Sequence, residues 1–548
     1  MRFSSSASNE DVSISPPLTA RRWLAGGGIV LLGLLALLAV QWGLLRITRK
    51  PSTDLVIIVG VIELTFYVWL RKFSRLSIGQ QMVTGFFFIG LQLCAFYAVR
   101  IEGFAGNGRL MFAWRWTPTP EEQFDASRNR EELSRDVDLV SPEWTPADNL
   151  DYPAFRGRDR AGHVTGIELE TDWQRFPPRQ LWRRPIGRGW SSFAVVGNFC
   201  VTQEQRREDE VVVCYELTTG RELWVHRDRA RFNEPTGGVG PRATPAITNG
   251  RVYTLGATGI LNCLDRVSGE RIWSANVLAD NNIKNRLFGM AGSPLIIGFL
   301  VVVTPGGKGS SLVAYNATTG EVVWKGGDAE ASYSSAHLAP FDSRKQILSF
   351  NAEGLFSHDL ENGRVLWSYG WVSNPTEKNN VCQPIPLPRT DTNASDRVFI
   401  SSGYGKGSAL LEIDQRETEF SVRPKWINRK LKAKFSSVML HEGYVYGLDG
   451  SILTCIQLDT GKRQWKGGRY GYGQLILVGS VLLIQMESGE VALVEASPES
   501  HRELTRFTAL GDRTWNHPVV VGRRLLVRND REAACYELPL KHRIAKDQ

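Results

Sequence analysis

A nine-residue phrase recurs along this chain with glycine always four positions ahead of tryptophan. It reads ELTTGRELW at Glu216–Trp224, DRVSGERIW ending at Trp273, NATTGEVVW at Trp324, DLENGRVLW at Trp367 and QLDTGKRQW at Trp465. Around each copy the pattern extends backwards, as in TPAITNGRVYTLGATGILNCLDRVSGERIW from Thr244 to Trp273. Four short apolar runs are broken at NG, GATG and SG, which predicts β-strands joined by tight hairpins whose glycines supply positive φ. One repeat is therefore one four-stranded antiparallel sheet. So small a sheet cannot bury both faces alone, so copies must stack, with the terminal tryptophan wedged between neighbours.

The spacings count the copies. From Trp224 the steps are 49, 51 and 43 residues to Trp367, then 98 to Trp465; the doubled step predicts a hidden copy, which Trp426 supplies. Phe507 stands 42 residues after Trp465, and Trp182 stands 42 before Trp224. Eight copies result. The strand around Trp182 lacks three preceding strands and the last three strands, near 516–538, lack a fourth, so the two ends complete one unit. The expected fold is all-β: an eight-bladed β-propeller with an N-terminal strand closing the last blade, an arrangement that leaves no open edge.

A different composition precedes it. Residues 1–22, with SSSAS and SPP, read as a disordered tail, and 23–100 as a membrane domain with three transmembrane helices at 24–45, 55–70 and 78–99. The first run exceeds the roughly 7–15 apolar residues of a signal peptide. Glu63 falls inside the second span, a membrane-embedded polar residue with Gln41, Gln80, Gln81 and Gln92 as available partners. Lys and Arg number six on either side of the spans, so charge bias leaves the orientation open. Residues 101–150, rich in charge and proline, read as a linker, 151–180 as a lead-in, 181–540 as the propeller and 541–548 as a tail.

Net charge is +8, but the first 100 residues hold ten Lys or Arg against four Asp or Glu, leaving 55 against 53 in the other 448. The excess is membrane-proximal; with no basic stripe or reading motif, nucleic acid is not an expected partner. Cys214, Cys263, Ala314, Cys455 and Cys535 share one column of the repeat, which makes the cysteines small core residues of separate blades rather than disulfides. Without CxxC or HExxH, no metal site is expected.

The TG-x-x-x-W unit resembles the pyrroloquinoline-quinone (PQQ) repeat shared by quinoprotein alcohol dehydrogenases and the outer-membrane assembly lipoprotein BamB, over about Asp151–Leu540. DYPAFRGRDRAGH, Asp151–His163, together with PPRQLWRRPIGRGWSSFAVVG, is similar to the lead-in of membrane-attached PQQ-repeat proteins of planctomycete-type bacteria. That resemblance implies a propeller outside the cytoplasmic membrane, in the periplasm, on a three-span inner-membrane anchor. Dehydrogenases of this family hold the quinone over the axis, between a tryptophan and a disulfide of adjacent cysteines, with Glu, Asn and Asp around calcium. This chain has no adjacent cysteines.

Loops leading into the innermost strands read GWSSF, PRATP, AGSP, YSSA, CQPI, FSSV, YGQL and NHPV. Ser191, Thr244, Ser293, Ser334 and Ser436 recur in one column, as strand-end hydrogen bonding requires. Residues that break the repeat are the candidate ligand contacts: Trp190, Arg242, Gln383, Trp515, Asn516 and His517, converging on the channel mouth for an anionic or planar ligand. Lys308 in TPGGKGSS and Lys406 in SGYGKGSA are set among glycines but followed by strands rather than by the helix of a phosphate loop, and are candidate contacts for an anionic partner.

The expectation is a membrane-anchored platform binding envelope proteins or peptides, with no cofactor. The alternative is a PQQ- and calcium-dependent dehydrogenase of alcohols or sugars passing electrons to the membrane. A third possibility is a sensor coupled through Glu63.

Overall fold

The structure, a computed structural model, describes residues 64–72, 74, 76–133, 151–341, 344–376, 378–389, 394–417 and 419–541. The chain divides into two compact units, Met1–Thr117 and Pro118–Gln548.

In the first unit a short helix, 64–72, precedes a helix over Ile78–Ala98 and a hairpin pairing Val99–Phe104 with Leu110–Trp114. Phe66 stacks on Phe88 at 3.8 Å between centroids. The three-span expectation is not supported: no helix among the described residues is long and apolar enough to cross a membrane. Gln80, Gln81 and Gln92 interrupt the apolar character of Ile78–Ala98. The proposed 24–45 span and Glu63 lie outside the described residues.

The second unit contains eight blades, seven of them four-stranded and antiparallel and one, the seventh, with a fifth strand added in parallel. Blade one is Ala194–Val196, Phe199–Arg206, Asp209–Glu216 and Glu222–Asp228. Blades two to seven end on Trp273, Trp324, Trp367, Trp426, Trp465 and Phe507. Blade eight takes Val519–Val521, Arg524–Arg528 and Glu532–Glu537 from the C-terminal end and its outer strand, Arg179–Pro185, from before blade one. The termini close the ring as the spacing of Trp182 required.

The recurrent Gly and Trp meet across blades. A Cβ on Gly220 would lie 2.6 Å from Trp182, on Gly269 2.4 Å from Trp224, and on Gly320 2.7 Å from Trp273. Each glycine has positive φ, so the turn needs glycine twice over: for its backbone and for the indole lying against it. The indole N–H then donates to a carbonyl of the next blade, Trp182 to Leu217 (2.9 Å), Trp224 to Arg266 (2.9 Å) and Trp273 to Ala317 (3.1 Å). Trp367 departs from the rule and donates to Gln346 Oε1 of its own blade at 2.8 Å. Blade five, which follows it, lacks the TG turn and instead has ten-residue strands, Gly407–Arg416 and Glu419–Asn428, which is why its copy was hidden.

Cysteines 214, 263, 455 and 535 are free and buried, each directly across the ladder from Trp224, Trp273, Trp465 and Trp182. A bulge follows each of these pairs, so a small residue at this column leaves room for the indole as the outer strand twists away.

Within 101–150, read from sequence as a linker, a helix forms over Pro120–Leu133. Thr119 and Glu122 cap it reciprocally, Thr119 N–H donating to Glu122 Oε2 and Glu122 N–H to Thr119 Oγ1. The helix docks on blade one: Arg207 donates to Asp125 (2.7 Å), Arg231 to Glu121 (2.9 Å), and the Arg206 guanidinium lies 4.8 Å above the buried Phe124 ring.

Glu210 ties blade one to blade two, accepting from Ala257 N–H (2.9 Å) and Thr258 Oγ1 (3.2 Å). Burial pushes its carboxyl up to about 7, from 4.5. A carboxyl whose folded pKa lies above its unfolded value carries more protons when folded, so its contribution is fully present below about pH 4.5 and fades as pH rises to about 7. Unfolding free energy should fall by up to about 3 kcal/mol over that window. In Glu210→Gln the fall should shrink in urea titrations at stepped pH; an unchanged slope refutes the assignment.

Candidate functional site

The loops leading into the innermost strands surround the axis. Around an axial cavity of about 160 Å³ the eight blades place a ring of equivalent residues, Ser192, Thr244, Ser293, Ser335, Gln383, Ser437, Gln474 and His517, from blades one to eight in order. These side chains form a relay between blades. Ser192 N–H donates to Thr244 Oγ1 (3.2 Å), Thr244 N–H to Ser293 Oγ (2.9 Å), Ser293 N–H to Ser335 Oγ (2.9 Å) and Gln383 N–H to Ser437 Oγ (3.1 Å). The Gln383 amide also lies 2.9 Å from Ser334 Oγ. Strand-end hydrogen bonding is thus the role of the hydroxyl column, with one correction: where a loop has two serines, the second lines the cavity, not Ser191, Ser334 or Ser436.

Trp190, Arg242, Tyr333, Phe435 and Trp515 form the walls, and Phe155 of the lead-in also lines the cavity. Trp190 and Trp515 lie 4.8 Å apart, inclined at 41°, and the Arg513 guanidinium is within 5 Å of both rings, at 4.9 and 4.5 Å. Phe435 continues the aromatic surface to Trp515 (5.8 Å) and Tyr472 (5.4 Å), with Lys434 Nζ over both Phe435 and Tyr472. Trp190 is fixed by its indole N–H donating to Gly237 O (2.6 Å), and Trp515 by donating to Glu487 Oε1 (3.0 Å).

The lead-in crosses the axis. Tyr152 pairs with Val195 of blade one, and His163–Val164 adds a parallel strand to Leu477–Val478 of blade seven. Between them Arg156 donates to Val438 O (3.1 Å), while Arg160 donates to Ala336 O (2.7 Å), Ser293 O and Pro294 O. Both arginines are buried at positive φ, 62° and 59°. Their strand-free, glycine-flanked setting in FRGRDRAG was the one legible signal of this plug.

Of the candidates read from sequence, Trp190, Arg242, Gln383, Trp515 and His517 meet at the cavity. Asn516 is buried and donates to Ser191 O (2.8 Å), a structural contact. Lys308 is exposed on its hairpin, and Lys406 lies over Trp371 at 4.5 Å; neither lines the cavity. Sequence reasoning missed Gln474, Phe435, Tyr333 and the lead-in residues. Gln474 occupies the ring position of YGQL but is the first residue of its inner strand, whereas in the other blades that position falls two residues before the strand.

Burial pushes Arg242 down to about 10, with Glu234, Glu210 and Tyr333 opposing. Burial also pushes His517 down to about 3, with Arg156 adding to the effect, so its imidazole is neutral. Calcium takes six to eight oxygen ligands with carboxylates prominent among them. The lining has one guanidinium and no carboxylate, and 160 Å³ is little more than the roughly 150 Å³ that holds benzene. Neither donor set nor volume fits a three-ring quinone with calcium.

Eight blades, six of them clipped to the next through the indole N–H of an outer-strand tryptophan, make an eight-bladed β-propeller. Residues 208–467 match the family described as outer membrane protein assembly factor BamB. The chain is 25% identical over 264 residues to outer membrane protein assembly factor BamB of Bordetella pertussis (strain Tohama I), covering 46% of this chain and 58% of that one. It is 30% identical over 122 residues to quinohemoprotein alcohol dehydrogenase ADH-IIG of Pseudomonas putida, covering 21% of this chain and 16% of that one. Both matches span less than two thirds of the relatives' own length. The crystal structure of quinohemoprotein alcohol dehydrogenase from Comamonas testosteroni superposes with a TM-score of 0.54 at 14% identity, covering 78% of this chain and 85% of that one, a likeness of fold. The propeller is thus similar in its repeat to BamB and to quinoprotein alcohol dehydrogenases, the family match covering just under half of the chain.

Proposed function

We propose that this protein is a docking platform of the cell envelope, its propeller periplasmic and its partners envelope proteins or peptides. The observation that carries the reading is the rim of the axial mouth, where Trp190, Trp515, Phe435, Lys434 and Tyr472 make one half-buried surface of rings and a cation, with the buried Arg513 guanidinium against both indoles. Rigid tryptophan, tyrosine and arginine side chains dominate binding energy at protein interfaces, and here the indole hydrogen bonds hold both tryptophans in place. The match to a family described as an outer membrane assembly factor favours the same setting. The axial lining supplies no carboxylate to act as base or calcium ligand for the dehydrogenase alternative.

Attachment to the membrane through the first unit is part of the proposal. It is supported by the uncharged run 24–45 and by Met82, Phe86 and Phe87, all more than 70% exposed on Ile78–Ala98. A photo-crosslinker at Trp515 in cells should capture a discrete envelope partner that a crosslinker at exposed Val267 does not. Identical capture patterns at the two positions would end the docking reading.

A further inference from the structure

We propose that the axial cavity binds a small carboxylate, its anionic group held between the Arg242 guanidinium and the His517 imidazole. This goes beyond docking at the rim, since it assigns the interior of the mouth a ligand of its own.

The ring column carries the argument. Thr244, Ser293, Ser335 and Ser437 each spend a side-chain oxygen on a neighbouring blade's N–H. His517 occupies the same position, yet neither of its ring nitrogens makes a well-formed hydrogen bond, the Pro518 backbone being the one polar group that acts on the ring as a partner, although the residue is only 6% exposed. Leaving buried polar atoms unsatisfied costs about 1–3 kcal/mol each, and His517, packed edge-on against Phe155 at 5.5 Å, is part of the cavity lining. A ligand entering the cavity supplies the missing partner.

Arg242 sets its charge. Two of its nitrogens donate to Gly240 O and Gly238 O, which orients the guanidinium and leaves further N–H donors. Glu234 is close enough to act on it electrostatically but directs its oxygens to the N–H groups of Thr236 and Gly237. Among the described residues no carboxylate forms an ion pair with Arg242, and none lines the cavity. One cation beside a neutral imidazole suits a monoanion, and the planar fork of arginine matches a carboxylate.

Size and walls restrict the remainder of the ligand. A cavity of about 160 Å³ takes a body near that of benzene, and Trp190, Trp515, Phe435 and Tyr333 offer it aromatic faces. The carboxylate comes either from a free acid of that size or from a Glu or Asp side chain of a docked segment.

The test follows the imidazole ¹⁵N resonances of His517 in the full-length protein, assigned by their loss in His517→Gln. Titrants are benzoate, neutral benzamide, inorganic phosphate, and a short peptide with one Glu together with its Gln twin. Benzoate should move the resonances saturably and benzamide should not. Arg242→Gln should weaken binding by about tenfold or more, as loss of a charge-assisted contact implies. A response to the Glu peptide alone supports the proposal with the docked side chain as source. Silence towards both carboxylates, equal responses to benzoate and benzamide, a response to phosphate alone, or unchanged benzoate affinity in Arg242→Gln each overturns it. The benzoate and benzamide comparison needs no variant and no protein partner, so neither misfolding nor failure of the docking reading obscures it.

Discussion

Replacing Trp273 by alanine is expected to lower the unfolding free energy by about 3–5 kcal/mol, the usual loss for a large aromatic removed from a packed site. The indole is 8% exposed, lies against Gly320 of blade three, faces Cys263 in its own blade and donates to Ala317 O. Its removal therefore opens a void at the seam between two blades and takes one of three donors from Ala317 O, which keeps those of Arg251 and Tyr253. Trp367 gives a built-in contrast, since its hydrogen bond stays within blade four. Trp367→Ala should cost stability through packing with less effect on cohesion between blades. Urea unfolding of both variants checks this; a Trp273→Ala loss below about 1 kcal/mol would show that the recurrent tryptophan is not a seam residue.

Glu204→Gln should destabilise by about 3 kcal/mol or more, because removing one member of a buried ion pair strands the others. Glu204 is fully buried and accepts from Gly187 N–H (2.8 Å), Arg206 Nε (3.0 Å) and Tyr215 Oη (2.6 Å). Burial by itself would raise its carboxyl, but Arg206, Arg528, Tyr215 and the Gly187 N–H outweigh it and hold the group below its usual 4.5. Its contribution is then present above about pH 4.5 and lost as pH falls through the folded value, opposite in sign to that of Glu210. The variant should accordingly show a shallower acid limb in pH-dependent unfolding. An acid limb identical to the parent's would remove Glu204 from the account of acid sensitivity.

The blade count and closure were legible because each depends on a residue that nothing else can replace: a glycine at positive φ under an indole, repeated at nearly constant spacing. Even the missing copy at blade five was visible as a doubled step. The site was legible only in part. Trp190, Arg242, Trp515 and His517 stood out because they break a pattern, and the structure brings them together. The serine column was read one residue early because successive side chains point to opposite sides of an extended strand, and two adjacent serines give no clue to which one turns inward. The rim residues Lys434, Phe435 and Tyr472 lie on loops of blades six and seven, and only the closed ring makes them neighbours. Lys308 and Lys406 had the composition of anion contacts but sit on outlying hairpins. Apolar runs in the first hundred residues suggested spans, yet amide side chains in Ile78–Ala98 weaken that reading for the described helix.

The lead-in segment that crosses the axis also determines how mechanical load would pass through the molecule. A pull on the chain from its N-terminal side at residue 151 does not peel a blade from the rim. It bears first on Tyr152 at blade one and then, through Arg156 and Arg160, on carbonyls of blades three, four and six, before reaching the strand at His163–Val164 on blade seven. Tension is thereby divided among spokes around a hub, an attachment suited to a disc that must stay intact while whatever it holds is tugged.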